Sequence, residues 1–415
     1  MSVLDLADQL WRGETTVEEH HPLQRFTGIE EVADGVGFMS VMSNVILIDA
    51  GDELALVDTG TQLTADHVFQ QVRGVSSAPL RAAVFSHGHI DHVFGVGPFD
   101  EEASSADRAR PEVFGHEAMP ARFERYRLTA GYNGVINRRQ FGIESLDWPT
   151  EYRHPDTTYR DGATVEVGDL VLELHHDRGE TDDHTWTWIA DRKVLCPGDL
   201  FIWASPNCGN PQKVQRYPRE WAAGLRKMAA LDADLLLPGH GVPIAGADRV
   251  RQALTDTASY LESLVEQTLA LMNEGRRLED ILHEVEPPAE LADRPYLRPV
   301  YDEPEFIVRN LWRLYGGWYD GNPAHLKPAP AAALAAELAG LAGGAGALAA
   351  RATQLSDAGD HRLAAHLAEH ARLAAPDDAE VVAAHGRVFA AFRDAATSTM
   401  AKGVYGAAAR DSGTG

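Results

Sequence analysis

The chain has little cysteine, little positive charge and no long apolar run. Its two cysteines, Cys196 and Cys208, cannot build a disulfide framework, so we expect each to be a small buried residue. Lysine and arginine number 37 against 62 aspartates and glutamates, and the formal net charge is −25. A surface this acidic repels phosphate backbones and anionic lipid, which disfavours a nucleic-acid or membrane partner.

No stretch of about 18 consecutive apolar residues occurs, so the sequence predicts no transmembrane helix. The first residues are acidic and lack the basic and apolar pattern of a secretory leader. Together with the scarcity of cysteine, this pattern leads us to expect a cytoplasmic protein.

Hydrophobic residues make up 44% of the 415 positions, so the chain can bury a sizeable core, and its length favours two or three domains. Strand patterns recur in the first 245 residues, at 45–58 (a hairpin), 80–85, 164–175, 185–190, 193–197 and 235–240. The predicted domains are a mixed α/β domain at 1–245, a helical connection at 246–320, an Ala-rich helical domain at 321–400 and a frayed tail at 401–415. Residues 93–160 are expected to form long loops with a few helices.

The clearest chemical pattern follows the strand predicted at 80–85 and reads His87-Gly88-His89-Ile90-Asp91-His92. Three imidazoles and a carboxylate within six residues are the ligands that zinc and similar divalent ions prefer. Three further segments place such side chains where strands end, namely residues 179–184, 198–199 and 238–241. The sequence therefore predicts a metal site built at one end of a sheet.

These segments resemble the metallo-β-lactamase-fold hydrolase superfamily over residues of about 40 to 245. The resemblance rests on LVDTG at 56–60, on SHGHIDH, on the GET segment, on PGD and on LPGHG. It implies an αββα four-layer sandwich that binds two divalent metal ions, with zinc expected. By this resemblance His87, His89 and Glu180 hold one ion, Asp91, His92 and His240 hold the other, and Asp199 bridges the two. Asp58 then orients a histidine without binding metal.

Glu180 stands where most superfamily members place a histidine, and His184 is an alternative ligand four residues later. Glu180 lies 19 residues before Asp199 and His184 only 15, and the superfamily's longer spacing favours Glu180. We therefore expect His184 to support the ligands rather than to bind metal.

A glutamate at this position is typical of the alkyl sulfatase branch. Two other segments resemble that branch, YGGWYDGNPA at 315–324 and AGYNGVINRRQFG at 130–142. The resemblance implies an all-α C-terminal domain that dimerises, following the α/β sandwich, and hence a homodimer.

The resemblance further implies hydrolysis of an alkyl sulfate ester by a metal-activated water, with Asp91 and Asp199 as catalytic acids and metals about 3.5–4 Å apart. The expected contacts to the sulfate group are Asn207, Lys213 and Arg216, with Arg138 and Arg139 as helpers. Trp203 is a candidate for lining an apolar pocket, whereas Trp186 and Trp188 are expected in the core.

Two alternatives stay open on these residues alone. The same dinuclear site suits a lactone, thioester or phosphoester, because a ligand set does not specify the leaving group. A non-catalytic helical assembly protein is the other reading, and the intact ligand set argues against it.

Overall fold

The computed structural model describes residues 1–413. The chain divides into two compact units. The first unit contains Met1–Ala130, Pro149–Gly275 and Ile281–Tyr315, and the second contains Gly131–Trp148, Arg276–Asp280 and the described residues from Gly316 onward. The predicted domain boundaries at 245 and 320 stay predictions.

Two mixed sheets form the centre of the first unit. The seven-stranded sheet runs in the order β1 (Glu30–Ala33), β2 (Val36–Val41), β3 (Ser43–Asp49), β4 (Leu54–Val57), β5 (Leu80–Val84), β6 (Glu112–His116) and β7 (Thr157–Tyr159). The six-stranded sheet contains β8 (Gly162–Val167), β9 (Leu170–His176), β10 (Thr185–Ile189), β11 (Val194–Ile202), β12 (Leu235–His240) and β13 (Ile244–Ala245), in the spatial order 13-12-11-10-9-8. Strands β4 to β7 run parallel to one another, and β11 runs parallel to β12.

The first ten helices in chain order are α1 (Val3–Arg12), α2 (Ala65–Val75), α3 (Gly97–Ser105), α4 (Met119–Leu128), α5 (Ala130–Phe141), α6 (Pro218–Ala229), α7 (Ala247–Asn273), α8 (Leu278–Glu284), α9 (Ala289–Ala292) and α10 (Pro304–Gly316). Short 3-10 helices lie at 62–64, 190–192 and 295–297.

The layers of the first unit follow from which strand faces are apolar. Val68, Val72 and Phe99 of α2 and α3 pack on buried Met39, Leu47 and other side chains of β2 to β4. On the second sheet, the indole of Trp221 in α6 donates a hydrogen bond to the Leu200 carbonyl of β11 at 2.8 Å. Between the sheets, the Asn44 side chain of β3 donates to the Pro238 carbonyl of β12 at 2.7 Å. Helices thus cover the outer faces of two sheets that meet face to face.

The second unit continues with α11 (Pro323–Leu326), α12 (Ala331–Ala342), α13 (Ala345–Asp357), α14 (His361–Ala374), α15 (Ala379–Ala395) and α16 (Thr399–Arg410). Four of these helices begin at side chains that accept backbone N–H groups, namely Asn322, Asp360, Asp378 and Ser398. Ala and Leu side chains of α12 to α15 form the small cores of this unit.

The prediction of a frayed tail at 401–415 is wrong for most of its length. Ser398 caps α16, which buries Met400, Ala401 and Ala409. Small residues permit this packing, since a Cβ at Gly403 would clash with the Gln140 carbonyl. Residues 414 and 415 of the predicted tail lie outside the described residues.

Within residues 1–413, no single helix is both long and apolar enough to cross a membrane. Helices α12 and α13 meet the length and composition criteria only as a pair bent by 85°.

Candidate metal centre

Asp58 shapes the loop that carries the histidine motif. It follows β4 with a left-handed backbone (φ 56°), and its carboxylate accepts hydrogen bonds from the Ser86 N–H at 2.7 Å and the Ser86 hydroxyl at 2.8 Å. The Nδ1 atom of His92 lies 2.8 Å from Asp58 Oδ2. Because one ring nitrogen is held by this carboxylate, Nε2 of His92 is directed away from it.

The predicted ligands form two groups, each with its ligand atoms within 4.8 Å of one another. The first group contains His87, His89, Glu180 and Asp199, and the second contains Asp91, His92 and His240. The two groups contain the residues that the resemblance names, and their assignment as metal ligands stays a prediction.

Glu180 lies on the loop between β9 and β10 and is fully buried. Its Oε2 is 3.7 Å from His87 Nε2, and its Oε1 is 3.7 Å from His89 Nδ1. The preceding Gly179 leaves room for this approach, because a Cβ there would clash with Leu200. The loop therefore brings a carboxylate to the two imidazoles of the HGH sequence.

Asp199 lies between the two groups. Its Oδ2 is 3.9 Å from His87 Nε2 and 3.3 Å from His240 Nε2, and its Oδ1 is 3.5 Å from His92 Nε2. Strands β11 and β12 run parallel, so Asp199 and His240 reach the same end of the sheet. The backbone of Gly239 is so close that a Cβ would clash with the Asp199 carboxylate.

Asp91 and His240 complete the second group. Oδ2 of Asp91 is 3.7 Å from His92 Nε2 and 3.5 Å from His240 Nε2. The Nδ1 atom of His240 lies 2.9 Å from the Met42 carbonyl, which leaves Nε2 facing the carboxylates.

Burial and charge act in opposite directions on these groups. Burial lowers the pKa of His87 and His89 well below the usual value, which keeps both imidazoles neutral and able to bind a cation. Burial also acts to lower the pKa of His92, but Asp199 and Asp58 outweigh it and raise that pKa well above the usual value. Burial raises the pKa of Glu180, with Arg216 opposing it.

The donor atoms of the centre fit divalent ions. Among the described residues, the buried atoms His92 Nε2, Glu180 Oε2 and Asp199 Oδ1 have no hydrogen-bond partner. Buried polar atoms are rarely left without a partner, and imidazole and carboxylate ligands suit zinc and similar ions. Divalent cations at the two groups would satisfy all three atoms.

His184 belongs to neither group. Its Nε2 accepts the Asp199 N–H at 3.1 Å, and its ring stacks on His87 with centroids 4.8 Å apart. Burial lowers the pKa of His184 to about 3, so the ring is neutral. These contacts place His184 as a support for Asp199 and for His87.

Asn207 and Arg216, which are predicted to contact the sulfate group, lie on the segment after β11. The side chains of both residues contact Glu180. The Asn207 side-chain amide donates to Glu180 Oε1, and Arg216 donates Nη1 to the Glu180 carbonyl. Arg216 Nη2 lies 3.2 Å from Glu180 Oε1. Arg216 Nε is a buried donor that has no partner among the described residues.

The other predicted contacts differ in their surroundings. Lys213 is partly buried, and burial together with Arg216 lowers its pKa to about 7. Arg138 lies on α5 in the second unit, where it donates to the Leu146 carbonyl at 2.9 Å, and its role stays a prediction, as does that of Arg139 on the same helix. Trp203 is fully buried and donates to the Val242 carbonyl at 2.6 Å.

Sequence reasoning missed Arg122, which joins α4 to the loops that carry the candidate ligands. Its Nε lies 2.9 Å from Asp183 Oδ1, and Asp183 Oδ2 accepts the Gly88 N–H at 3.0 Å. The side chain is buried on the same helix face as Phe123 and Tyr126. A charged residue on an apolar helix face is the pattern that could have identified it, since such a charge needs a buried partner.

Two family models match the chain. Residues 40–240 match the metallo-beta-lactamase superfamily, and residues 277–415 match the alkyl sulfatase dimerisation family. Residues 40–240 therefore form a metallo-beta-lactamase superfamily region. They are followed by an alkyl sulfatase dimerisation region, and the sequence predicts both.

Individual relatives agree with this assignment. A linear primary-alkylsulfatase of Pseudomonas sp. (strain ATCC 19151) is 28% identical over 354 residues, which are 80% of this chain and 67% of the relative. An (R)-specific secondary-alkylsulfatase of Pseudomonas sp. is 29% identical over 366 residues, which are 80% of this chain and 54% of the relative. The chain thus spans about half to two thirds of the length of these relatives. The predicted enzyme class, a hydrolase of sulfuric esters, agrees with their names.

The solved structure of a stereoselective inverting sec-alkylsulfatase from Pseudomonas sp. has the same fold. It superposes with a TM-score of 0.85 at 24% identity and covers 93% of this chain and 65% of that one. The predicted fold class, an α/β metallo-β-lactamase sandwich followed by an all-α region, is confirmed.

Proposed function

We propose that the chain is a dinuclear metal-dependent hydrolase that cleaves alkyl sulfate esters. The observation that carries this proposal is the position of Asp199 between two groups of ligand atoms, with Asn207 and Arg216 beside the first group. The names of the relatives give the substrate class.

His87, His89 and Glu180 would hold one ion, Asp91, His92 and His240 the other, and Asp199 would bind both. Two divalent ions, which we propose to be zinc, would supply Lewis acidity and lower the pKa of a water molecule. The chain's own contribution is to hold these side chains in place through Asp58, His184 and the strand ends.

An anionic substrate requires positive charge beside the metals, which is unusual in a chain with 25 excess negative charges. Arg216 and Lys213 supply it, and the buried Nε of Arg216 is a donor available to a sulfate oxygen. Arg138 is proposed as a helper on the second unit.

The test combines metal analysis with a substrate panel. Purified protein should contain about two divalent ions per chain and should hydrolyse a medium-chain alkyl sulfate in preference to a lactone, a thioester and a phosphomonoester of matched alkyl length. A metal-stripped sample should lose activity and recover it when zinc is restored. Full activity without metal would refute the metal centre, whereas preference for a lactone, thioester or phosphoester would refute only the sulfate assignment.

We also propose a homodimer, because residues 277–415 match a family named for dimerisation. Sedimentation of the full-length chain at micromolar concentration should give the mass of two chains. A single species of 45.2 kDa would contradict this proposal.

A further inference from the structure

The segment that carries Asn207 and Arg216 is held against α10. The Gly209 N–H donates to the buried carboxylate of Asp302 at 2.5 Å. The contact is close, because a Cβ at Gly209 would clash with the backbone of Phe306 and Ile307 at the start of this helix. Movement of the segment is therefore restricted at its beginning.

Asn310 of α10 holds the other end of the segment. Its side-chain amide pairs with both backbone groups of Arg216: Oδ1 accepts the Arg216 N–H at 3.2 Å, and Nδ2 donates to the Arg216 carbonyl at 3.1 Å. Gln215 donates to Asn310 Oδ1 at 2.8 Å, and Arg313 donates to the same oxygen at 3.2 Å. Asn310 is itself 5% exposed, so water does not replace these bonds easily.

Because Asn310 holds the Arg216 backbone, it also determines the position from which the Arg216 side chain extends toward the proposed metal centre. The Arg216 side chain is 2% exposed and contacts Glu180 at both its carbonyl and Oε1. Glu180 in turn presents Oε2 to His87. A continuous chain of polar contacts thus leads from α10 to a proposed metal ligand.

We infer that Asn310 is a positioning residue for the ion site formed by His87, His89, Glu180 and Asp199, and that it acts through Arg216. The inference rests on the proposed metal centre. Removal of a residue that hydrogen-bonds to a metal ligand typically changes metal affinity by about 10–100-fold. Asn310 contacts Arg216 rather than the proposed ligand Glu180, so we expect the lower end of this range. Asn310→Ala should therefore lower the affinity for the ion at this site by about tenfold and leave the affinity for the other ion unchanged.

The experiment titrates zinc against a chromophoric chelator and resolves two binding constants for each variant. Gln267→Ala is a matched control, because Gln267 clamps Glu286 in the same reciprocal way, donating to its carbonyl at 2.8 Å and accepting its N–H at 3.4 Å. The visible spectrum of cobalt-loaded protein supplies a second readout, since it reports the geometry around each ion. Gln267→Ala should match the wild type in both measurements.

A double-variant cycle separates positioning from general loosening. Arg216→Ala alone should weaken the same single ion, and adding Asn310→Ala to it should cost nothing more. Asn310→Asp provides a second variant of the same shape, which keeps the acceptor for the Arg216 N–H but places a carboxylate oxygen where Nδ2 donates to the Arg216 carbonyl. It should show the same selective loss if Asn310→Ala does not yield folded protein.

The outcomes distinguish the inference from the proposed function. Wild-type protein that binds fewer than two ions would contradict the proposed metal centre. Wild-type protein with two ions, together with Asn310 variants that bind both as Gln267→Ala does, would overturn the role of Asn310. Equal weakening of both ions, or additive effects of Asn310→Ala and Arg216→Ala, would also overturn it.

Discussion

The predicted metal ligands and the predicted sulfate contacts lie beside each other, yet they use their polar atoms differently. The ligand side chains leave His92 Nε2 and Asp199 Oδ1 without partners and directed into a shared space. Asn207 and Arg216 instead use donors on the carboxylate of Glu180. Asn207 and Arg216, which we expect to contact the substrate, therefore also hold the side chain of the proposed ligand Glu180.

This difference between the predicted ligands and the predicted sulfate contacts shows which residue roles can be inferred from a local motif. A short loop after a strand restricts the directions in which a histidine side chain can point. The role of such a histidine therefore follows from the motif and the strand end. A long cationic side chain pairs with whichever buried acid lies nearest in the folded chain, and that acid comes from a distant segment. Substitutions of Asp199, Arg216, Asp58 and Lys213 test how far the two roles can be separated.

The largest effect is expected for the acid shared by both groups. Asp199→Ala removes a carboxylate that lies within 3.9 Å of His87, His92 and His240, so metal content should fall and turnover should drop about 10³-fold or more. Elemental analysis and initial rates with an alkyl sulfate measure both effects. Asp234→Ala, which removes an exposed acid just before β12, is the control. Two ions bound as firmly as in wild type would contradict this role for Asp199.

Arg216→Ala should reduce sulfate-ester turnover by about 10²-fold even at saturating zinc, because a charge-assisted contact to a developing oxyanion is lost. Arg216→Lys should recover little, since the planar fork that spans the Glu180 carbonyl and carboxylate is absent. Arg226→Ala removes an exposed arginine of α6 and should have no effect. If Arg216→Ala slows a lactone as much as a sulfate ester, its role is confined to Glu180 and the two roles are not separable.

Asp58→Asn should weaken zinc at the second group by about 10–100-fold, because it removes the charge that accepts from His92 Nδ1. Asparagine tolerates the left-handed backbone at this position, so the fold should be retained. Chelator competition measures the affinity, and Asp49→Asn, at the end of β3, is the comparison. Unchanged affinity would show that the backbone alone orients His92.

The smallest effect concerns pH and Lys213. A lysine whose pKa is about 7 is charged below that pH and loses its proton as the pH rises through it. Attraction for a sulfate group should therefore weaken, and the KM of an alkyl sulfate should rise up to about fivefold between pH 6 and 8. Lys213→Met should abolish this rise, whereas Lys193→Met, at an exposed site, should keep it. A rise that persists in Lys213→Met would assign it to another group.

Much of the fold could be predicted because the strands found at 45–58, 80–85, 164–175, 185–190, 193–197 and 235–240 carry an apolar pattern that ends at a recognisable turn. The hairpin predicted at 45–58 is formed by β3 and β4, and the ligand loops follow the predicted strand ends. The region 93–160 is more regular than expected, since β6 and β7 extend the first sheet there. Both strands are short, and their order comes from the pairing of β6 with β5 and of β7 with β6, which a local pattern does not contain.

The site could be predicted as far as its ligand types and no further. Motif order and spacing assign Glu180 rather than His184 to the first group, and the geometry places Glu180 there. The contacts of Arg122 and Asn310 depend on segments about 60 to 94 residues away, so no local spacing reveals them.

The contact between Gly239 and Asp199 has a consequence for how this sequence can diverge. Because the space beside the carboxylate is filled by the Gly239 backbone, no residue with a side chain can replace that glycine while Asp199 keeps its place. The PGD and PGH turns, separated by some 40 positions along the chain, are therefore constrained together. A side chain at position 239 is tolerated only if a substitution at position 199 removes or moves the carboxylate.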